Sequence, residues 1–188
     1  MKALTYLGLI VGLATCGCRL VSPKPVLPQP PAVEIRDNSY SLLYQLLSDE
    51  QHVSKLLIIK RDSRELNRLV KDISRTAGKA ADQLQQFSEQ DRTLALNVID
   101  LPPGEAATRD AIATTKKKEL LSNSGDVFER SLLLTQIQAL NYAAHLASVA
   151  ADNDTNATRS TWLRSLNQEM KGLYSQCVDL LARTPHGA

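Results

Sequence analysis

The chain has 188 residues and a formal net charge of +2, enough for one domain of ordinary size and too few for two comfortable ones. Hydrophobic residues make up 43% and charged residues 22%. That balance excludes a wholly disordered chain, and the near-neutral charge removes any electrostatic case for nucleic acid, which wants a strongly basic face. Aromatics are only 4%, so the core must come from Leu, Ile, Val and Ala, a palette better suited to close-packed helices than to a strand sandwich.

Residues 1–17 read as a lipoprotein signal rather than as part of the fold. Lys2 supplies the positive start, and its removal leaves a net charge of +1. The uncharged run from Ala3 to Thr15 is about 13 residues, short of the roughly 20 that a spanning helix needs. Cys16 and Cys18 close it. A cysteine there is an acceptor for a diacylglyceryl group. Cys18 is favoured because the small Gly17 precedes it, and Cys16, preceded by the β-branched Thr15, is the alternative. An ordinary secretory signal whose cysteines later pair is the competing reading.

Residues 18–37 form a proline-rich tether with Pro23, Pro25, Pro28, Pro30 and Pro31. Such a stretch resists helix and strand; in polyproline geometry it extends about 3.1 Å per residue and spaces a domain roughly 50 Å from a surface. A leader with no spacing role is the competing reading.

Residues 38–184 read as one helical domain. A first helix is predicted from Ser39 to Arg61, with Leu43, Leu46, Val53 and Leu57 on one face. Asp62-Ser63-Arg64-Glu65 looks like a fresh start, Asp62 capping and Glu65 reaching back. The second helix, Ser63 to Arg92, presents Leu66, Leu69, Ile73, Ala77, Ala80, Leu84 and Phe87 at bundle-seam spacing. Leu101-Pro102-Pro103-Gly104 breaks the chain. A shorter helix from Glu105 to Leu121 has few large apolar residues and belongs on the outside of a bundle or across its end. Its Lys116-Lys117-Lys118 run is read as a solvated face before a contact to anionic lipid. Asp126-Val127-Phe128-Glu129 repeats the start signal for a helix from Val127 to Ala151, with Leu133, Ile137, Leu140 and Ala144 inward. Asp152 to Asn156 is a polar turn. The last helix, Ala157 to Arg183, carries Leu163, Leu166, Met170, Leu173, Cys177 and Leu180 at alternating steps of three and four. No stretch sustains the period-two alternation of a strand. The expected fold is all-α: a four-helix bundle with one extra short helix between the second and third long helices.

Three stretches resemble a known family: Arg61 to Leu66 with Lys79 to Leu84 following, Phe128 to Leu133, and Asn153 to Leu166. The family is a ferritin-like four-helix bundle of unknown function found among exported, outer-membrane-type proteins, and the resemblance covers about residues 42 to 182. It implies a ferritin-like bundle. It also implies polar residues in all four helices that hold a metal by analogy with other ferritin-like bundles. Carried onto this chain, those places fall at or near Glu50 or His52, near Thr76-Ala77, near Ala139-Leu140 and near Leu173. Three of the four are apolar or small here, so this is a divergent member and the implied metal site is expected to be lost.

Candidate chemistry is sparse. Glu50 lines up with Leu46 and Val53 and reads either as a remnant ligand or, in preference, as a half-buried carboxylate reaching water. His52, two residues on, cannot share its face. His145 is expected to be partly buried and hydrogen-bonded, and His186 lies in the tail. Cys177 reads as a small core hydrophobe, and Trp162 as a plug for the bundle end. Gln136, Asn141 and Tyr142 make a possible polar patch. No phosphate loop, nucleophile elbow or zinc-binding spacing occurs. The sequence therefore points to a non-enzymatic lipoprotein facing the periplasm, anchored to an inner or outer membrane through its lipid. It would be a structural or partner-binding module with an envelope protein as partner and no cofactor. A metal-binding or redox ferritin-like protein is the alternative.

Overall fold

A computed structural model describes residues 31–58, 63–98 and 101–184. These are all-helical, with no strand among them. Five α-helices follow in order: α1 (Ala32–Glu50), α2 (Arg64–Gln90), α3 (Pro103–Ser122), α4 (Gly125–Asn153) and α5 (Ala157–Arg183). A 3-10 helix, Val53–Ile58, follows α1.

The helices assemble as a bundle. α1 packs against α2 and α4, α5 packs against the same two, and α3 lies on α4. Each apolar stripe finds its burial on a neighbour, because a helix with one greasy face cannot be stable alone. Leu43 and Leu47 of α1, Leu66, Ile73 and Leu84 of α2, Leu132 and Leu133 of α4, and Leu163 and Met170 of α5 are almost wholly enclosed. The α4–α5 pair is the most intimate. Ala143, Ala144, Ala147, Ala150 and Ala151 are all buried, and these small side chains let the backbones close up. Asn167 Nδ2 reaches the Ala144 carbonyl at 2.6 Å and Ser160 Oγ the Ala151 carbonyl at 2.8 Å.

α5 has the predicted limits, and all six of its seam residues are buried. α1 differs. It begins seven residues before Ser39, inside the segment read as tether. Pro31 sits at its N-cap position with φ −56°, and its carbonyl accepts from Glu34 N and Ile35 N. A proline at a helix start loses no hydrogen bond, and nothing in residues 32–37 then opposes helix. α1 also ends early. Ser74 Oγ takes the Gln51 carbonyl, and Lys55 N turns to the His52 carbonyl in tighter 3-10 fashion.

Two predicted caps are made differently. Asp62 lies outside the described residues. Ser63 is the N-cap of α2, its hydroxyl accepting from Leu66 N at 3.2 Å. Glu65 pairs with Arg183 of α5 at 2.7 Å. Glu129 of α4 takes Ser63 N at 2.6 Å and Ser63 Oγ at 3.2 Å. An anion at a helix N-terminus is favoured by the free amides and the dipole, and here a neighbouring helix supplies it.

α3 is 20 residues long against 19 for α1, so it is not a short helix. Its outside position is as expected: only Leu120 is buried.

Neighbouring residues of α4 give a direct test. Leu133 is fully enclosed, whereas Leu134 is 49% exposed. Leu133→Ala should cost about 2–5 kcal/mol in urea unfolding through lost burial plus a cavity, while Leu134→Ala should stay within about 0.5 kcal/mol.

Candidate functional site

Two polar constellations interrupt the apolar interior. The first surrounds Glu50, the last residue of α1. Its row on the helix is Tyr40, Leu43, Leu47, Glu50, at steps of three and four, so the helix aims it inward. One carboxylate oxygen, Oε2, is enclosed with no hydrogen-bond partner. Gln136 of α4 faces it and is 1% exposed, and its Oε1 is also enclosed and unpartnered. Burial drives the Glu50 carboxyl up from an ordinary 4.5 to about 7; the Gln136 amide opposes that and Asp49 adds to it. Cys177 of α5 lies within electrostatic reach. Its own burial, then the Glu50 charge, push its thiol up to about 12, which makes it an inert core sulfur.

Glu50 is half-buried, as expected, but its Oε2 is enclosed rather than in water. Its expected companions do not join it. His52 is exposed in the turn after α1, and His145 is exposed rather than partly buried. Gln136 parts from Asn141, which is exposed, and from Tyr142, which meets α3, so no patch forms. The missed signal was the four-step row Leu132, Gln136, Leu140, Ala144, all buried. Ala77, Leu140 and Leu173 occupy core positions. Among the described residues, no three His, Cys, Asp or Glu side chains are placed to share a metal ion. Cys16, Cys18 and His186 lie outside the described residues.

The second constellation closes the end of the bundle where α2 finishes and α4 turns into α5. Arg159, in the first turn of α5, grips Asp154 with Nε to Oδ2 at 2.7 Å and Nη2 to Oδ1 at 2.9 Å. Its Nη1 reaches Asp91 at 2.7 Å. Tyr40 of α1 donates to Asp154 Oδ2 at 2.6 Å. One guanidinium therefore ties α1, the end of α2 and the α4–α5 turn. Burial pushes Asp154 up, but Arg159 and then Tyr40 hold it below its ordinary value. Thr93 and then Arg159 hold Asp91 down at about 2. Arg36 donates to the Thr93 carbonyl at 3.1 Å, and Ser41 Oγ bonds both the Ala95 carbonyl and Val98 N, so the chain after α2 is sewn to α1.

Trp162 is half-buried, edge-on to Phe87 with ring centroids 5.2 Å apart, and so caps this part of the seam only in part. Lys116 is paired with Glu119 at 2.8 Å, and Lys117 and Lys118 are exposed.

Comparison of the chain with protein-family models, with curated proteins and with solved structures finds no match.

Both constellations can be tested. Between pH 4.5 and about 7 the folded chain keeps the Glu50 proton that the unfolded chain has released. Stability from this group is therefore full below 4.5 and lost as pH rises through 7, by up to roughly 3 kcal/mol. Denaturant unfolding across that window should show the decline, and Glu50→Gln should flatten it. Arg159→Ala should cost about 3–5 kcal/mol, because Asp154, whose side chain is 0% exposed, is left charged and unpaired. An Arg159→Met, Asp154→Leu double variant should recover much of that loss in the same measurement.

Proposed function

We propose that this chain is an exported lipoprotein whose helical domain serves as a non-enzymatic structural or partner-binding module in the cell envelope. The observation that carries this reading is the Cys16–Cys18 pair at the end of an uncharged apolar run, followed by prolines and then the helical domain. No described helix is long and apolar enough to cross a membrane. Attachment in this reading is by acyl groups on Cys18, or on Cys16, with the domain facing the periplasm and an envelope protein as partner.

We also assign the bundle to the ferritin-like arrangement of four helices plus a crossover. The end contacts support it. Tyr40 meets Asp154, Ser63 meets Glu129, and Glu65 meets Arg183. α1 and α5 therefore run one way, and α2 and α4 the other. α3 carries the chain back along the bundle between α2 and α4, which is the role of the single long crossover in ferritin-like folds.

A second reading, a metal-binding ferritin-like protein, is favoured by one observation. Glu50 Oε2 and Gln136 Oε1 are two enclosed acceptors without a hydrogen-bond partner, and such atoms call for a proton, a water or a cation.

Labelled palmitate fed to cells expressing the chain should mark it, and a Cys16→Ser, Cys18→Ser variant should stay unmarked. Labelling of that variant would end the lipoprotein reading. Elemental analysis of the purified protein separates the two readings. The first expects no stoichiometric iron, manganese or zinc, and the second expects a metal that Glu50→Ala removes.

A further inference from the structure

α3 is held to the bundle chiefly through α4. Beneath its middle turns runs a groove of about 420 Å³, bounded by Leu46 of α1, Ile112 and Ala113 of α3, and Ala139 and Tyr142 of α4. Its lining is mainly apolar, unlike the polar hollows along the α2–α5 seam. Ile112 is left 56% exposed at its edge.

Two cations bracket this strip. Arg109, Ile112, Ala113 and Lys116 follow at steps of three, one and three on α3, so the charges sit one turn to either side of the apolar pair. Arg109 is the better fixed of the two. Its Nη1 donates to the Tyr142 hydroxyl at 3.2 Å, and its guanidinium lies 5.4 Å from the centre of the Tyr142 ring. Its Nε donates to a Glu105 carboxylate at 2.7 Å. That pair is 40% and 46% exposed, and such surface pairs are worth little and exchange readily. Arg109 thus already takes one carboxylate through its Nε, and it also borders the apolar groove.

We propose that the groove between α3 and the α1–α4 face binds a single long-chain carboxylate. Its alkyl chain would lie along Leu46, Ile112, Ala113 and Ala139, and its head group would replace Glu105 on Arg109. The chemistry is complementary at both ends. The lining buries methylenes, and a planar guanidinium matches a carboxylate with two parallel hydrogen bonds. An uncharged alkyl chain would leave the cation unused, and a bare anion would leave the groove empty. The inference goes beyond the anchored-module reading and holds whether or not the chain is lipidated, so a failed labelling experiment leaves it standing.

The test is titration of the full chain with cis-parinaric acid, a fluorescent long-chain carboxylate, followed by displacement with palmitate. Binding should saturate at one probe per chain, and palmitate should displace it while hexadecanol competes at least about tenfold less well, since a charge-assisted hydrogen bond is at stake. Arg109→Gln should weaken binding by a similar factor. Glu105→Gln should tighten it, because the internal competitor is gone. Ala113→Trp should block the groove; Ala113 is exposed, so the larger side chain leaves the core intact. Non-saturable binding, equal competition by hexadecanol, or unchanged binding in Ala113→Trp would overturn the proposal.

Discussion

α4 has to bury apolar surface toward three neighbours at once, and the rest of the architecture follows from that. Its buried residues face α1 and α5, and its outer side carries α3. Leucines fill the half near its N-terminus, and alanines the half near its C-terminus. The alanine half permits close approach of α5, where side-chain amides and hydroxyls reach across to backbone carbonyls. Helices this long gain most of their stability from such packing rather than from intrinsic propensity. α1 and α2 complete the enclosure, while α3 adds length without adding much core.

The two ends of the bundle are closed by different chemistry. At one end a buried guanidinium satisfies two carboxylates, one of which also takes a tyrosine hydroxyl. This arrangement ties α1 to the α4–α5 turn through the Tyr40–Asp154 hydrogen bond. Buried ion pairs add little net stability against an apolar alternative, and their best-attested role is to fix register. At the other end Glu129 caps a neighbouring helix, and Glu65 meets Arg183 at the surface. Between them Glu50 and Gln136 place two enclosed acceptors together. Burial is costly for an ionised carboxylate, and it accounts for the raised affinity of Glu50 for its proton, against the opposing hydrogen bond from Gln136.

Helical periodicity made the core legible. The residues of α5 at steps of three and four are buried without exception, whereas alignment with Leu46 and Val53 left Glu50 read as a carboxylate reaching water, because α1 ends before Val53. Helix starts were less legible, because an Asp-x-x-Glu pattern records only local options. Glu65 and Glu129 each take a partner from another element of the fold. The early start of α1 was hidden by Pro30-Pro31, since proline is equally at home in a tether and at a helix N-terminus. The Arg159 network was illegible for a plainer reason. Its members, at positions 40, 91, 154 and 159, are distant in sequence, and each alone looks like a surface residue or a turn. Gln136 was legible in principle, but grouping it with Asn141 and Tyr142 ignored the four-step row that carries it inside.

α4 is the member around which the bundle packs, and α3 is an appendage to it. Amide hydrogen exchange followed by mass spectrometry tests this most directly, because exchange reads the opening free energy of each segment separately. Peptides from residues 132–151 and 163–180 should exchange only when the whole domain opens, and those from residues 103–119 well before. Equal protection of all three segments would contradict the account.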